Sequence, residues 1–196
     1  MKRFFAVFVF ATALLAAGGA SAEDMSGNVQ FLVGQRYMSN YWNPLDRPTM
    51  FGVVVDFAPA SSPVRVALGG QFSFGNKTVT TPVFGRTGHV EVGTFEFSAG
   101  FVWLPVKKDV VRPYIGAGAL LIGAAAGKKW SWSGSGDSDR SFGFYGNAGL
   151  YFKVGERFNI GIDGRIVRGT NIQLGPDEGN ANYEQVSLLL GYSFGK

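Results

Sequence analysis

The sequence predicts an all-β protein: an eight-stranded antiparallel up-and-down transmembrane β-barrel, preceded by a cleaved N-terminal signal peptide. Three observations carry this. Eight segments of roughly ten to twelve residues alternate apolar and polar side chains, the length a tilted strand needs to cross a bilayer. The connections between them alternate short and long. The aromatic residues, 15% of the chain, gather at two depths along the strands rather than throughout them.

The chain opens with Lys2 and Arg3, then an apolar or small run from Phe4 to Ala17 broken only by Thr12, then Ala20-Ser21-Ala22. Positive charge, greasy stretch and small-residue cleavage site stand in the order of a secretory signal peptide. The run is short for a spanning helix, so residues 1–22 are expected to be removed, leaving residues 23–196 as a barrel domain. Loss of Lys2 and Arg3 takes the basic count from 18 to 16 against 14 acidic residues, a mature charge of +2. That is too weak and too scattered to suggest nucleic acid. The chain contains no cysteine, which removes lipidation, disulfides and thiolate metal sites. The 29 glycines and the aromatic content point to short strands and tight packing rather than helix.

The first strand is expected near 27–37, with Val29, Phe31 and Val33 opposite Asn28, Gln30 and Arg36. The second, near 49–58, sets Phe51, Val53, Val55 and Phe57 against Gly52, Val54 and Asp56. In the third, near 64–75, Val64, Val66, Leu68, Phe72 and Phe74 oppose Arg65, Ala67, Gly69, Gln71 and Ser73. The fourth, near 91–104, has Phe95, Phe97, Phe101 and Trp103 on one side and Thr94, Glu96 and Ser98 on the other. The fifth, near 111–124, mixes Gly116 and Gly118 with Ile115, Ala117 and Ala119, and its facing stays open. The sixth, near 141–154, sets Phe142, Phe144, Leu150 and Phe152 against Tyr145, Asn147, Tyr151 and Lys153. The seventh, near 158–169, sets Phe158, Ile160, Ile162 and Ile166 against Asn159, Asp163 and Arg165. The eighth closes the chain, with Val186, Leu188, Leu190, Tyr192 and Phe194 on one face and Gln185, Ser187, Leu189, Gly191 and Ser193 on the other.

Short connections are expected at 59–63, 105–110 and 155–157, and long ones at 38–48, 76–90, 125–140 and 170–182. A soluble barrel would turn the apolar face inward. Here Phe57, Phe101, Trp103, Phe152, Phe158, Tyr192 and Phe194 lie near the short connections. Phe72, Phe74, Phe142 and Phe144 lie near the long ones. Two aromatic belts suit two lipid–water interfaces, so the apolar face is expected to meet lipid and the polar face to fill the lumen. Lipid offers no partner to a free strand edge, so the last strand must pair with the first.

Eight strands leave a lumen that side chains can fill, and buried charges must pair. Arg36, Asp56, Arg65, Glu96, Asp163 and Arg165 are therefore expected to form an interior polar network. Asp56 should face Arg65 across the first short turn, and Glu96 should reach Arg36 or Arg165. Structural filling is the first reading of that network and a narrow ion or water path the second. A large-solute porin is disfavoured by the strand number.

Taken together, RPYIGAGALLIG, FNIGIDGRIVRG and LLLGYSF make the mature chain resemble the OmpA/OmpX-like eight-stranded outer-membrane barrels. The resemblance implies a small monomeric barrel in a Gram-negative outer membrane, with short turns and both termini in the periplasm. Its partners would be outer-membrane lipid and lipopolysaccharide. The Tyr192 and Phe194 ending resembles the sorting signal read by the barrel-assembly machinery. Some small barrels modify lipid A. The single histidine, His89, with Glu91 two residues on, is the candidate base for that alternative, although no serine partner is evident. In the loop GKKWSWSGSGDSDR, Lys128 and Lys129 beside Trp130 and Trp132 either contact lipopolysaccharide phosphates or anchor the loop at headgroup depth. No motif calls for a cofactor or a metal. The expected role is structural or surface-interacting, not enzymatic.

Overall fold

The computed structural model describes residues 25–39, 42–43, 45–81, 86–105, 110–127, 137–174 and 177–195. The expected signal peptide lies outside them. Alternating segments form β1 (Met25–Met38), β2 (Thr49–Pro59), β3 (Val64–Thr81), β4 (Arg86–Trp103), β5 (Val111–Gly127), β6 (Asp137–Val154), β7 (Phe158–Arg168), β8 (Ile172–Leu174), β9 (Asp177–Gly179) and β10 (Tyr183–Phe194). β1 to β7 and β10 make one closed barrel in which chain neighbours are spatial neighbours, while β8 and β9 form a separate two-stranded hairpin. The barrel closes between β1 and β10, antiparallel, from Gly27 opposite Phe194 to Met38 opposite Tyr183. No barrel strand is left with a free edge inside the wall, the condition hydrocarbon imposes.

Period two then fixes the facing. In β7 every second residue is buried, from Asn159 to Val167, and the alternate residues are exposed. Around the whole wall the outward row carries the large apolar side chains, with Phe97 44%, Ile162 48% and Phe101 62% exposed. Phe51 and Leu188 lie in the same outward row. A soluble protein rarely exposes contiguous apolar surface on this scale. Hydrocarbon, not water, is the solvent that suits it. β5 resolves the same way, with Ile115 and Leu121 outward and Tyr114, Leu120 and Ile122 inward. Glycine makes room where a ring must cross the wall: a Cβ on Gly27 would collide with the Phe194 ring opposite it, and one on Gly123 with the ring of Phe95.

The connection expected at 76–90 is largely strand. Pairing of β3 with β4 continues to Thr81 opposite Arg86. β2 leaves β3 at Thr49 opposite Phe74, and β5 leaves β4 at Gly127 opposite Glu91. The upper part of β3–β4 is thus a two-stranded ribbon standing clear of the barrel. Thr78, Val79, Thr80 and Thr81 favour extended backbone, while their lack of an apolar stripe reads as loop. β5 and β6 also overrun their expected ends, reaching Gly127 and starting at Asp137. The last long connection contains the β8–β9 hairpin.

The interior is layered rather than uniformly polar. Near the short turns lies a polar layer around Asp56. Against it packs an apolar cluster that includes Leu32, Met50, Ala67 and Leu189 and reaches the short-turn end of β4 at Val102 and Leu104. A second polar layer surrounds Arg36. The long-loop end is covered by a cluster containing Met38, Trp42, Leu45, Leu120, Ile122 and Ile172. The indole of Trp42 donates to the carbonyl of Asn180 at 2.7 Å, fastening the first long connection to the last.

Candidate functional site in the barrel lumen

Arg36 enters the lumen from β1 because it shares parity with Asn28 and Gln30. It is fully buried. Its Nε donates to Gln185 Oε1 at 2.9 Å and its Nη1 to Thr94 Oγ1 at 2.9 Å. Its Nη2 donates to Gln71 Oε1 at 2.9 Å and to Glu96 Oε2 at 3.2 Å. The guanidinium carbon lies 4.2 Å from the centre of the Tyr183 ring. β1, β3, β4 and β10 thus converge on one cation across the barrel axis. Glu96 is equally engaged. Arg165 Nη2 donates to Oε1 at 2.6 Å, and the Tyr183 hydroxyl donates to Oε2. Arg165 in turn lies 3.9 Å from the centre of the Tyr145 ring.

The layer near the short turns is built around two carboxylates. Arg65 Nη1 donates to Asp56 Oδ1 at 2.8 Å. Asn28 Nδ2 reaches the same oxygen at 3.1 Å, and Gln30 Nε2 reaches Oδ2 at 2.7 Å. Asp163 accepts from the Tyr114 hydroxyl at 2.5 Å and from Asn147 Nδ2 at 2.9 Å. Tyr114 stacks on Tyr151 with ring centres 4.4 Å apart, and Gln30 Nε2 also donates to the Tyr151 hydroxyl at 2.6 Å. The structure therefore brings the six charges into two groups: Arg36, Glu96 and Arg165 in one, Asp56, Arg65 and Asp163 in the other.

Tyr114, Tyr151 and Gln30 complete the layer around Asp56 and Asp163, and Tyr183, Gln185 and Thr94 complete the one around Arg36 and Glu96; the six expected charges include none of them. Tyr183 stands two residues before Gln185 and shares its face. Tyr114 stands two before Gly116. Parity with Gln185 marks Tyr183 as inward, whereas glycine neighbours leave Tyr114 unmarked. Tyr192 points outward, its ring edge-on to Phe158 at 5.5 Å and its hydroxyl accepting from Arg157 Nη1 at 2.9 Å. Phe194 covers Gly27 at the seam. His89 lies in β4 opposite Thr78, but its side chain is outside what the structure describes. Lys128, Lys129, Trp130 and Trp132 lie outside the described residues.

Such a lumen offers fixed donors and acceptors already matched to one another, on a wall whose outer surface is apolar. Comparison with known proteins agrees with that architecture. Residues 6–194 match the outer membrane protein beta-barrel domain family. No curated protein matches the chain. Among solved structures, Neisserial surface protein A superposes with a TM-score of 0.60 at 14% identity, covering 87% of this chain and 97% of that one. The outer membrane protein OprG of Pseudomonas aeruginosa superposes with a TM-score of 0.51 at 13% identity, covering 89% and 97%. At these identities the likeness is one of fold. An inside-out, closed, eight-stranded wall over nearly the whole matched span places the chain in the outer membrane protein beta-barrel family, a protein of the outer membrane.

Proposed function

We propose that this protein is a structural or surface-interaction barrel whose lumen is a plug and whose long connections meet the outside. The observation that supports this best is Arg36, a fully buried cation on β1 tied to β3, β4 and β10 by four hydrogen bonds. Moving it aside to pass an ion would break charge-assisted bonds in a low-dielectric site, each worth about 1.5–3 kcal/mol. The apolar cover at the long-loop end adds a second closure. In this reading the short turns and both chain ends face the periplasm, as the alternation of connection lengths suggests. The partners are outer-membrane lipid and lipopolysaccharide, with the barrel-assembly machinery acting on the Tyr192 and Phe194 ending during insertion. The barrel works as a monomer, and the role involves no catalysis.

Planar-bilayer recording of the purified barrel tests the plug. The expected result is a bilayer without steady discrete openings. Reproducible unitary conductance steps would overturn the plugged reading in favour of a narrow channel.

A further inference from the structure

The six buried charges divide unevenly. Arg36 and Arg165 against Glu96 leave one layer with an excess positive charge, and Asp56 and Asp163 against Arg65 leave the other with an excess negative charge. The surplus carboxylate can be identified. Asp56 has Arg65 at 2.8 Å, whereas Asp163 takes neutral donors only, from Tyr114 and Asn147, and no ion pair among the described residues includes it. A buried charge left that way is costly. Arg165 follows two residues later on the same inner face of β7, about 6.6 Å along the strand. That is too far for direct contact between backbone-proximal atoms and near enough for one bridging group.

The two layers approach each other on one side of the barrel. On β1, β2, β3 and β10 an apolar residue stands between them: Leu32, Val54, Ala67 and Leu189. On β6 and β7 none does, because Tyr145 and Asn147, and Asp163 and Arg165, are consecutive inward residues. Between the layers lies a cavity of about 20 Å³, lined on one side by Leu32, Val54, Ala67 and Leu189 and on the other by Ser98, Tyr145, Asn147, Asp163 and Arg165. Two lining side chains leave a buried atom without a partner, Asn147 Oδ1 and Arg165 Nε. Arg165 is 4% exposed. The orientation of the Asn147 amide follows from its contact: the nitrogen must face the Asp163 carboxylate, so the oxygen is the free atom. One orphan is an acceptor and the other a donor.

A group that completes this site must donate to an amide oxygen and accept from a guanidinium N–H. A cation is opposed by Arg165 and an anion by Asp163. The volume exceeds the roughly 10–15 Å³ that one water requires and leaves no room for a larger solute. We propose that this cavity is an internal water-binding site, in which an ordered water accepts from Arg165 Nε and donates to Asn147 Oδ1, joining the negative layer to the positive one. The water makes two half-balanced networks into one neutral core without opening a path, since the guanidinium at its upper end bars cations and protons alike.

The test is cross-relaxation from water to the Arg165 Hε proton, measured by NMR on the whole chain in detergent micelles with 15N-labelled arginine. The expected result is a water peak at Hε whose sign reports a residence longer than bulk exchange. Ser98→Leu, which fills the cavity, should abolish it. Arg168→Gln, at an exposed residue of β7 outside the lining, should leave it. Absence of the peak in the unmodified protein overturns the site, and that measurement needs no variant to fold. Survival of the peak in Ser98→Leu, or its loss in Arg168→Gln, overturns it as well.

Discussion

Glu96 is the residue on which the upper layer turns, since it accepts from two guanidinium groups and a phenol at once. Glu96→Gln keeps the shape and removes the charge, leaving Arg36 and Arg165 as buried like charges with no anion between them. Breaking a buried pair in this way costs about 3–5 kcal/mol. The exposed pair of Arg168 with Glu184, at 54% and 61% side-chain exposure, supplies the contrast, because Arg168→Gln should cost no more than about 1 kcal/mol. Urea midpoints of the two variants in micelles, read by the gel shift between boiled and unboiled protein, separate these expectations. Equal midpoints would sink the claim that the lumen network holds the barrel together. At this scale alternation tells which side of the wall a residue occupies, and it put all six charges on one side. It says little about depth. Strand stagger decides that Arg36 and Glu96 meet, and period two is silent on stagger. Tyr114 escaped notice for a simpler reason: its neighbours on that face, Gly116 and Gly118, carry no side chain to mark the face as inward.

Elements are legible where one face is greasy and vanish where both faces are wet. β1, β2, β7 and β10 lie close to their expected spans because lipid covers one side along nearly their full length. β3 to β6 run on beyond that depth, where water replaces lipid and the pattern stops, although Thr and Val still hold the backbone extended. The connection after β7 shows how such a segment is held without a core. Asp139 on β6 accepts from the backbone N–H of Gln173 at 2.7 Å and of Arg140 at 2.7 Å, and Ser141 Oγ accepts from the N–H of Asn171 at 2.8 Å. Two backbone donors favour the charged form and hold the Asp139 carboxyl below the ordinary carboxylate value. A depressed pKa in the folded state means the contribution is present above the unfolded-state pKa and is lost as pH falls through the folded value. The Gln173 amide should therefore hold its NMR shift and its exchange protection from neutral pH down to about pH 4, and lose both below that. In Asp139→Asn the acid transition should be absent. A Gln173 amide that titrates around pH 6, or one unaffected by the substitution, would disconnect β8 from Asp139.

At the scale of the whole molecule the sequence is most informative, because hydrocarbon permits so few solutions. Once eight alternating segments and no cysteine staple are granted, closure of β10 on β1 is forced by the backbone, and the order of the strands follows from the tendency of consecutive antiparallel strands to pair as neighbours. What stays hidden is the stratification of the interior, since Leu32, Met50 and Leu189 stand on the polar side of the pattern and read as exceptions until the layers are seen. The wall itself makes the sharpest test of its solvent. Leu188 is 58% exposed near the middle of β10. It is flanked by Val33 on β1 and Ile162 on β7, both exposed. In water, Leu188→Arg would be a surface substitution worth no more than about 0.5 kcal/mol. At the bilayer midplane the same change costs about 2–4 kcal/mol, falling to about 0–1 kcal/mol near an interface. Tyr192, four residues on at the aromatic belt, is the internal comparison. Folding equilibria in liposomes should show Leu188→Arg destabilised by at least about 1 kcal/mol more than Tyr192→Arg, even though the latter also gives up the ring contact with Phe158 and the hydrogen bond from Arg157. Equal losses at the two positions, or none at either, would mean that this face does not lie in lipid.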